Sequence, residues 1–585
     1  MIDFELQARE CDFVIDSIGT IETWTGNRHK YGENWPVVYI IHNDEEAYVG
    51  ETLNAGKRVS QHLQREDRRR LNVIHILTDD TFNKSVILDL ESYLIKYMSA
   101  DGKYRLQNGN AGLQSFDYYN REEYEKFFEK VWQYLMKIGV ADNSIRQIEN
   151  SDIYKYSPYK ALTTDQSMAM EDILDMIRES IKSGEERTMV IRGGAGTGKT
   201  IMAVFLMKLL ADAMSGNNDN EDDQDENGLI EHFKGMAGSL DGLRIGFVVP
   251  MQSLRSTLKG VFKRVGGLSE KMVISPLDVM KGEPYDLLIV DEAHRLRQRK
   301  GLSQYGPFDQ ANEKLGIRDF DDGRAEANGT ELDWIIKRSR MQLLFYDPMQ
   351  SVKPSDISAN RIRSILEARD VKNYELRSQL RCLGGDDYIQ YVKSVLLCES
   401  PLPHGKFGNY DLRFYDDIKS MTDDILALDK QVGLCATVAG YSWKWITKND
   451  NKRRDAYDID IDGNHYIWNR TDRDWINSDR WENEVGCIHT VQGYDLNYAG
   501  IIFGNEIRYN PLTQEIYIDR GSYQDNYGKA VGTKKAAQKD LHNYIINIYI
   551  TLMTRGIRGT FVYVCDEGLR EYLRGYFRGA ENHDC

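Results

Sequence analysis

Arg192-Gly-Gly-Ala-Gly-Thr-Gly-Lys-Thr200 and, further along, Asp286-Leu-Leu-Ile-Val-Asp-Glu-Ala-His294 are the stretches whose reading decides the fold. Gly193 to Thr200 fits the phosphate-binding pattern G-x-x-x-x-G-K-[ST]. Backbone N–H groups of Gly193, Gly194, Ala195, Gly196, Thr197 and Gly198 curl around phosphate oxygens. Lys199 brings a point charge to the β- and γ-phosphates, and Thr200 offers its hydroxyl to Mg²⁺. Met189-Val-Ile191 reads as a short buried strand and residues 201–210 as a helix, so the phosphates sit on a helix N-terminus. Leu287 to Val290 is a continuous apolar run, as expected of a parallel-sheet strand buried on both faces. Asp291 ends that strand as the magnesium-linked carboxylate, and Glu292 follows as the candidate base for the attacking water. Both motifs, in this order and each in a strand context, imply ATP hydrolysis with Mg²⁺ as cofactor.

The bulk numbers bound the rest. A chain of 585 residues holds about three or four domains of ordinary size. A hydrophobic share of 41% with 11% aromatics supports sizeable cores and excludes a mainly disordered chain. Net charge −16 excludes a basic protein that coats nucleic acid, but not a local basic groove. The seven cysteines are scattered without a C-x-x-C pair, which argues against zinc or a disulfide framework and for a reducing, cytoplasmic setting. The N-terminus carries early acids and no apolar h-region, so no signal peptide is expected. No apolar run is long enough to span a bilayer, so no membrane partner is expected.

The expected organisation is a leader over 1–30, a small α/β domain over 31–115 and a connector over 116–160, helical from 122 to 138. A first motor lobe follows over 161–375 and a second over 376–585. The acidic run 215–228 reads as a solvated loop, or else as a decoy for nucleic acid. Strand candidates at 244–250, 342–347, 432–437, 499–504 and 561–566 alternate with helical stretches. That alternation gives an α/β fold class with parallel sheets, and there are too many strands for one sheet, so two RecA-like lobes are expected.

Further elements surround the two motifs. Gln166, in Leu162-Thr-Thr-Asp-Gln166, has an amide suited to an adenine edge. Asp347 or Gln350, in Phe345-Tyr-Asp-Pro-Met-Gln350, stands where a γ-phosphate is sensed. Leu376-Arg-Ser-Gln-Leu-Arg-Cys382, Ile488-His-Thr-Val-Gln-Gly-Tyr-Asp495 and Tyr549-Ile-Thr-Leu-Met-Thr-Arg-Gly556 complete the series. This order resembles superfamily 1 helicases. Through Ala439-Gly-Tyr-Ser-Trp443 and Thr490-Val-Gln-Gly-Tyr494 it resembles, more narrowly, the Schlafen-type helicase domain, over residues 160–570. The resemblance implies that Gln166 reads adenine, that Lys199, Thr200, Asp291 and Glu292 are the Walker residues, and that Gln350 contacts the γ-phosphate. It places Gln492 in the nucleotide set and implies that Arg381 and Arg555 reach the γ-phosphate from the second lobe. Such an arginine is worth ~10³–10⁵ in rate and ties hydrolysis to lobe closure; the bland reading of each is a surface salt bridge. Asp495 replaces a common Glu and Gly556 a common Ala, and neither change removes a catalytic group.

Val37-Val-Tyr39 and Tyr48-Val-Gly50 are followed by Arg58, His62, Glu91 and Asn108-Gly-Asn110. Asn54 can cap a helix that puts Arg58 and His62 at i, i+4 on one face. Residues 86–98 read as an apolar helix on which Glu91 shares a face with Ile87, Leu94, Ile95 and Met98. A carboxylate there is costly unless it is paired or binds metal. The ordered set is similar to GIY-YIG endonucleases over residues 36–113. The resemblance implies that Tyr39 and Tyr48 frame the attacking water with His62 beside them, that Arg58 stabilises phosphate charge, and that Glu91 holds one Mg²⁺ or Mn²⁺. Asn110 or Asn108 closes the site. Val37 stands where the family has glycine, and an inactive nuclease fold used for binding is the alternative. Joined, the modules imply an ATP-dependent nuclease-helicase acting on nucleic acid, DNA ahead of RNA, in bacterial defence against foreign DNA. A nucleotide-gated binding or signalling ATPase, an RNA-directed nuclease and a repair role are the other readings.

Overall fold

The computed structural model describes residues 34–64, 68, 70–108, 118–194, 196–215, 242–300, 302, 304–317, 329–347, 350–351, 355–376, 382–402, 406–447, 456–471, 475–478, 480–491, 495–525 and 535–578. Apart from Ser215, the acidic run 215–228 lies outside them, as do Ala195, Asn110, Arg381, Gln492 and the side chain of His62. The chain forms two units. One comprises Met1–Leu162 with Val204–Leu240 and Gly260–Glu270; the other comprises Thr163–Ala203, Asp241–Lys259 and Lys271–Cys585.

The first unit is built on β1 (Val37–His42), β2 (Glu46–Thr52), β3 (Val73–Leu77) and β4 (Arg105–Leu106), in the order β3-β1-β2-β4. β1 pairs antiparallel with β2 and β3, and β2 pairs parallel with β4. Period-two alternation sorts β1 between two cores: Val38 and Ile40 join the helix Lys84–Asp101, while Tyr39 and Ile41 face the opposite side with Tyr48 and Ile74. The helix Lys84–Asp101 starts where Asn83 accepts from the Val86 N–H and stops at left-handed Gly102, whose φ is +72°.

The expected connector is not a connector. Its helix, Arg121–Lys137, buries Phe128, Trp132 and Leu135 in the same core as the sheet, with Ile148, Ile153 and Tyr159. These apolar residues recur at three- to four-residue spacing, which is the stripe of a core helix.

A histidine pair crosses this sheet. The Nε2 atoms of His42 and His75 are 3.0 Å apart, with ring centroids at 5.2 Å and ring planes within 9°. Those values place the rings edge to edge and nearly coplanar, so the contact is an N–H···N hydrogen bond and leaves no room for a metal between them. His42 Nδ1 donates to the Asn43 carbonyl at 3.0 Å, so His42 Nε2 is the acceptor and His75 the donor. Burial lowers both imidazoles, His75 to about 4 with His42 adding to the shift. Lys103 also lowers His42, while Asp44 raises it and Tyr104 packs on its ring. A folded-state value below the unfolded one gives stability that is complete above about pH 6.5 and lost as pH falls toward 4. The thermal midpoint of the full chain is therefore expected to fall across that window, and less steeply in His75→Gln. An unchanged slope in the variant would remove the pair as its source.

The second unit carries two larger sheets. The first contains β5 (Arg187–Gly193), β6 (Ile245–Val248), β7 (Val273–Ile274), β8 (Tyr285–Val290), β9 (Ser339–Tyr346) and β10 (Val371–Leu376). Its order is β10-β5-β9-β8-β6-β7, and every pair is parallel. The P-loop strand β5 and the aspartate-bearing strand β8 both border β9, so their C-terminal ends converge on one edge.

The other sheet contains β11 (Asp411–Phe414), β12 (Cys435–Ala439), β13 (Ile459–Ile461), β14 (Asn464–Trp468), β15 (Glu484–Cys487), β16 (Leu496–Phe503) and β19 (Gly556–Val564). It is parallel except for the antiparallel pair β13–β14. A hairpin of β17 (Ile507–Asn510) and β18 (Glu515–Ile518) stands beside it in sequence. The strand expected at 432–437 is shifted: Val432 closes the helix Ile418–Val432, Gly433 caps it at φ +73°, and the strand begins at Cys435. Among the described residues, no helix is long and apolar enough to cross a membrane.

Candidate functional site

The phosphate loop lies between β5 and the helix Lys199–Met214. Gly196 and Gly198 hold φ values of +83° and +77°, a region open to glycine at little cost. A Cβ on Gly193 would lie 2.4 Å from Thr197 Oγ1, so the loop closes only without one. Lys199 is buried, and its Nζ donates to the Gly193 and Gly194 carbonyls at 2.7 Å each. Nucleotide phosphates would exchange for those carbonyls. Gln166 caps the helix Thr164–Ser183: its Oε1 accepts from the Thr163 N–H at 3.0 Å, and its Nε2 donates to the Thr197 carbonyl at 2.9 Å. The expected adenine reader is thus also a strut of the loop, with one N–H and one lone pair left for a base.

Around Lys199 the acids take distinct positions. The Thr200 hydroxyl donates to Asp291 Oδ2 at 2.8 Å. Burial raises the fully buried Asp291 carboxyl, and the adjacent Glu292 charge adds to it, against Thr200 and Lys199. A buried carboxylate touching a hydroxyl beside a second acid suits a hard divalent cation, so Thr200 and Asp291 fit as the Mg²⁺ holders. Burial works to raise Glu292 too, but His294, Lys199 and Arg555 outweigh it and keep it ionised. Glu292 sits at φ +52°, in the left-handed region that costs a non-glycine residue strain.

One residue of this constellation, His294, carried no role in the sequence. The Asp347 N–H donates to Nδ1 of the fully buried His294 at 3.3 Å. The ring proton therefore sits on Nε2, 2.8 Å from Glu292 Oε2. That contact is misaligned for a hydrogen bond, so His294 acts on Glu292 mainly electrostatically. Asp347 Oδ2 lies 3.8 Å from Lys199 Nζ and accepts from Gln350 Nε2 at 2.7 Å. Of the two candidate γ-phosphate sensors, Asp347 faces Lys199 and Gln350 stands behind it. Arg555 is buried, and its charge reaches Glu292.

In the first unit, Tyr39, Tyr48, Arg58 and Glu91 also come together. Tyr39 and Tyr48 rings lie 6.3 Å apart. A Cβ on Gly50 would lie 2.2 Å from the Tyr39 hydroxyl oxygen, which is why the second triplet ends in glycine. Burial pushes the Tyr39 phenol well up, Tyr48 and Glu91 add to the rise, and Arg58, hydrogen-bonded to it, opposes. Buried Arg68, absent from the expected set, lies 3.7 Å from the Tyr48 ring centroid.

Glu91 lies on the helix face that buries Ile87, Leu94, Ile95 and Met98. It is half-buried, and the buried acid of its helix is Asp89, which accepts from the Tyr118 hydroxyl at 2.9 Å and lies 3.6 Å from Arg121. One carboxylate at the edge of a phenol cluster fits a single divalent cation completed by water and phosphate. No group of three or more metal-ligating side chains occurs among the described residues. Asn108 takes a structural part: its Oδ1 accepts from the Val49 N–H at 3.0 Å, and its Nδ2 donates to the Val49 carbonyl at 2.8 Å. It splints β2 at the second triplet.

Comparison with known proteins bears on this geometry. The uncharacterized protein of Saccharomyces cerevisiae that the chain matches is 25% identical over 453 residues, 70% of this chain and 90% of its own. A solved structure of Pif1 helicase from Bacteroides, in complex with ADP-AlF3 and ssDNA, is 12% identical. It covers 69% of this chain and 93% of that one, with a TM-score of 0.25. A DNA replication initiation factor is also 12% identical, over 48% of this chain and 65% of that one, with a TM-score of 0.19. The family model for the Schlafen group 3 DNA/RNA helicase domain matches residues 186–566, well over half of the chain. The chain belongs to the Schlafen group 3 DNA/RNA helicase domain family.

Proposed function

We propose that this chain is an ATP-driven motor on nucleic acid that also cleaves nucleic acid, DNA ahead of RNA, with a single-metal site in its N-terminal unit. The observation that carries the motor reading is the meeting at one loop of buried Lys199, the Thr200 hydroxyl on Asp291, and Glu292 beside His294. An ionised base beside a magnesium-suited pair is what water attack on a γ-phosphate needs. Gln166 holds the loop and reads the base; Lys199, Asp347 and Gln350 meet the γ-phosphate end. The nuclease reading is supported by Tyr39, Tyr48, Arg58 and Glu91, which gather phenols, a guanidinium and a carboxylate at one place. Mg²⁺ or Mn²⁺ at Glu91 would supply an activated water there. A motor joined to a nuclease suits the removal of foreign DNA, and defence is the role we assign.

Glu91→Gln tests the nuclease half. Glutamine keeps the shape and loses the charge that a hard cation needs. Cleavage of plasmid, linear DNA and RNA with Mg²⁺ or Mn²⁺ is expected to stop in the variant, while ATPase on the same preparation persists. Cutting at the wild-type rate would remove Glu91 as ligand. A wild type that cuts neither DNA nor RNA would make the N-terminal unit a binding module.

A further inference from the structure

Thr554 and Arg555 alone separate the helix Lys535–Met553 from β19. A helix leaves its last carbonyls without partners of its own, and a buried end must find them elsewhere. Here the buried Met553 carbonyl accepts two hydroxyls, Tyr388 at 2.8 Å and Thr560 at 3.1 Å. Thr560 has one proton and gives it to Met553, so the Tyr410 hydroxyl, 2.7 Å from Thr560 Oγ1, is the donor of that pair. The Gly556 carbonyl takes a longer share of the Tyr410 proton at 3.3 Å. The carbonyls on both flanks of Arg555 are thus held by one knot of three hydroxyls.

Three separate segments supply the knot. Tyr388 lies on the helix Gly385–Leu396, Tyr410 stands just before β11, and Thr560 lies on β19. All three are buried, and burial raises both phenols, so each stays a donor. The two tyrosine ring centroids are 4.3 Å apart. A Cβ on Gly384 would lie 2.7 Å from Tyr388 Cβ and 3.2 Å from Tyr410 Cγ, so glycine lets the pair close. Backbone bonds complete the clamp. The Arg555 N–H donates to the Leu552 carbonyl at 3.1 Å, and the Arg555 carbonyl accepts from the Leu496 N–H at 3.2 Å. The N–H of Leu383, two residues past Arg381 in the sequence, donates to the Ile557 carbonyl at 2.9 Å. A Cβ on Gly556 would lie 2.1 Å from the Gly559 carbonyl oxygen, so alanine there would collide with the backbone.

We infer that Tyr388, Tyr410 and Thr560 are positioning residues for ATP hydrolysis, whose hydroxyls fix the turn that presents Arg555. An arginine stabilises a transferring phosphoryl group only from a set distance and direction. Its side chain has many rotamers, and a turn held on both flanks narrows where the guanidinium can reach. The three hydroxyls act through Arg555. The inference rests on the motor reading and adds which side chains hold its arginine.

The test is single-turnover and steady-state ATPase of the full chain with Mg²⁺, beside nucleotide binding and thermal unfolding. Thr560→Val keeps the volume and removes the hydroxyl; Thr560→Ser keeps the hydroxyl and removes a methyl group. Thr560→Val is expected to lower turnover about tenfold with ATP affinity within about twofold, and Thr560→Ser to stay near wild type. Tyr388→Phe is expected to behave as Thr560→Val does, and it carries the test if the valine variant does not fold. In an Arg555→Ala background, neither change is expected to lower turnover further. Wild-type turnover in folded Thr560→Val and Tyr388→Phe, with only the thermal midpoint lowered, would overturn the inference and leave the motor intact. An equal loss with and without Arg555 would overturn it too, because the hydroxyls would then act elsewhere. A wild type without ATP turnover would overturn the motor reading and this inference together.

Discussion

Lys199→Ala is expected to reduce ATP hydrolysis to background. The ammonium sits between the Gly193 and Gly194 carbonyls and 3.8 Å from Asp347. Among the described residues, no other lysine stands at the loop to supply charge to the β- and γ-phosphates. Its removal also leaves buried Asp347 facing the loop without its cation, which further repels phosphate. Nucleic-acid binding is expected to persist, because the change is confined to the phosphate loop between β5 and its helix. The check is phosphate release under saturating ATP with strand binding measured in parallel. Turnover near wild type would sink the motor assignment.

Arg555→Ala is expected to slow turnover of bound ATP by ~10³-fold or more, with ATP affinity changed only a few-fold. Arg555 is buried at the start of β19, and its charge already bears on Glu292. A guanidinium there stabilises charge that develops on the transferring phosphoryl group more than charge present before transfer. Single-turnover hydrolysis beside equilibrium nucleotide binding separates the two effects. Collapsed affinity with unchanged turnover would make Arg555 a binding residue and not a finger.

Where the chain's own neighbours decide a conformation, its sequence was readable. The phosphate loop needs its glycines within one turn, and β8 is apolar on both faces because a parallel sheet buries both. The tyrosine triplets were legible for the same reason: Gly50 yields space to Tyr39 directly across the register. Gly433 ends a helix and delays β12, a stop signal that the apolar run 432–437 masked. The stripe of Phe128, Trp132 and Leu135 was present at helical spacing but was outweighed by the surrounding Glu and Lys.

Contacts between distant segments were not readable. His294 reaches Glu292 across a short turn and takes its tautomer from the Asp347 backbone. Asp458 looks like one acid among many until four donors converge on it. Periodicity placed Glu91 on the face of Ile87, Leu94, Ile95 and Met98, all of them buried, but gave no sign of Asp89, which the helix also buries against Tyr118 and Arg121.

The central claim is that hydrolysis at Glu292 is coupled to a bound strand. Steady-state ATPase of the full chain with Mg²⁺, with and without single-stranded DNA or RNA, tests it most directly. Turnover is expected to rise severalfold as the strand is titrated, and Lys199→Ala to show none at any concentration. Slow turnover that ignores both strands would contradict it and make the nucleotide a switch.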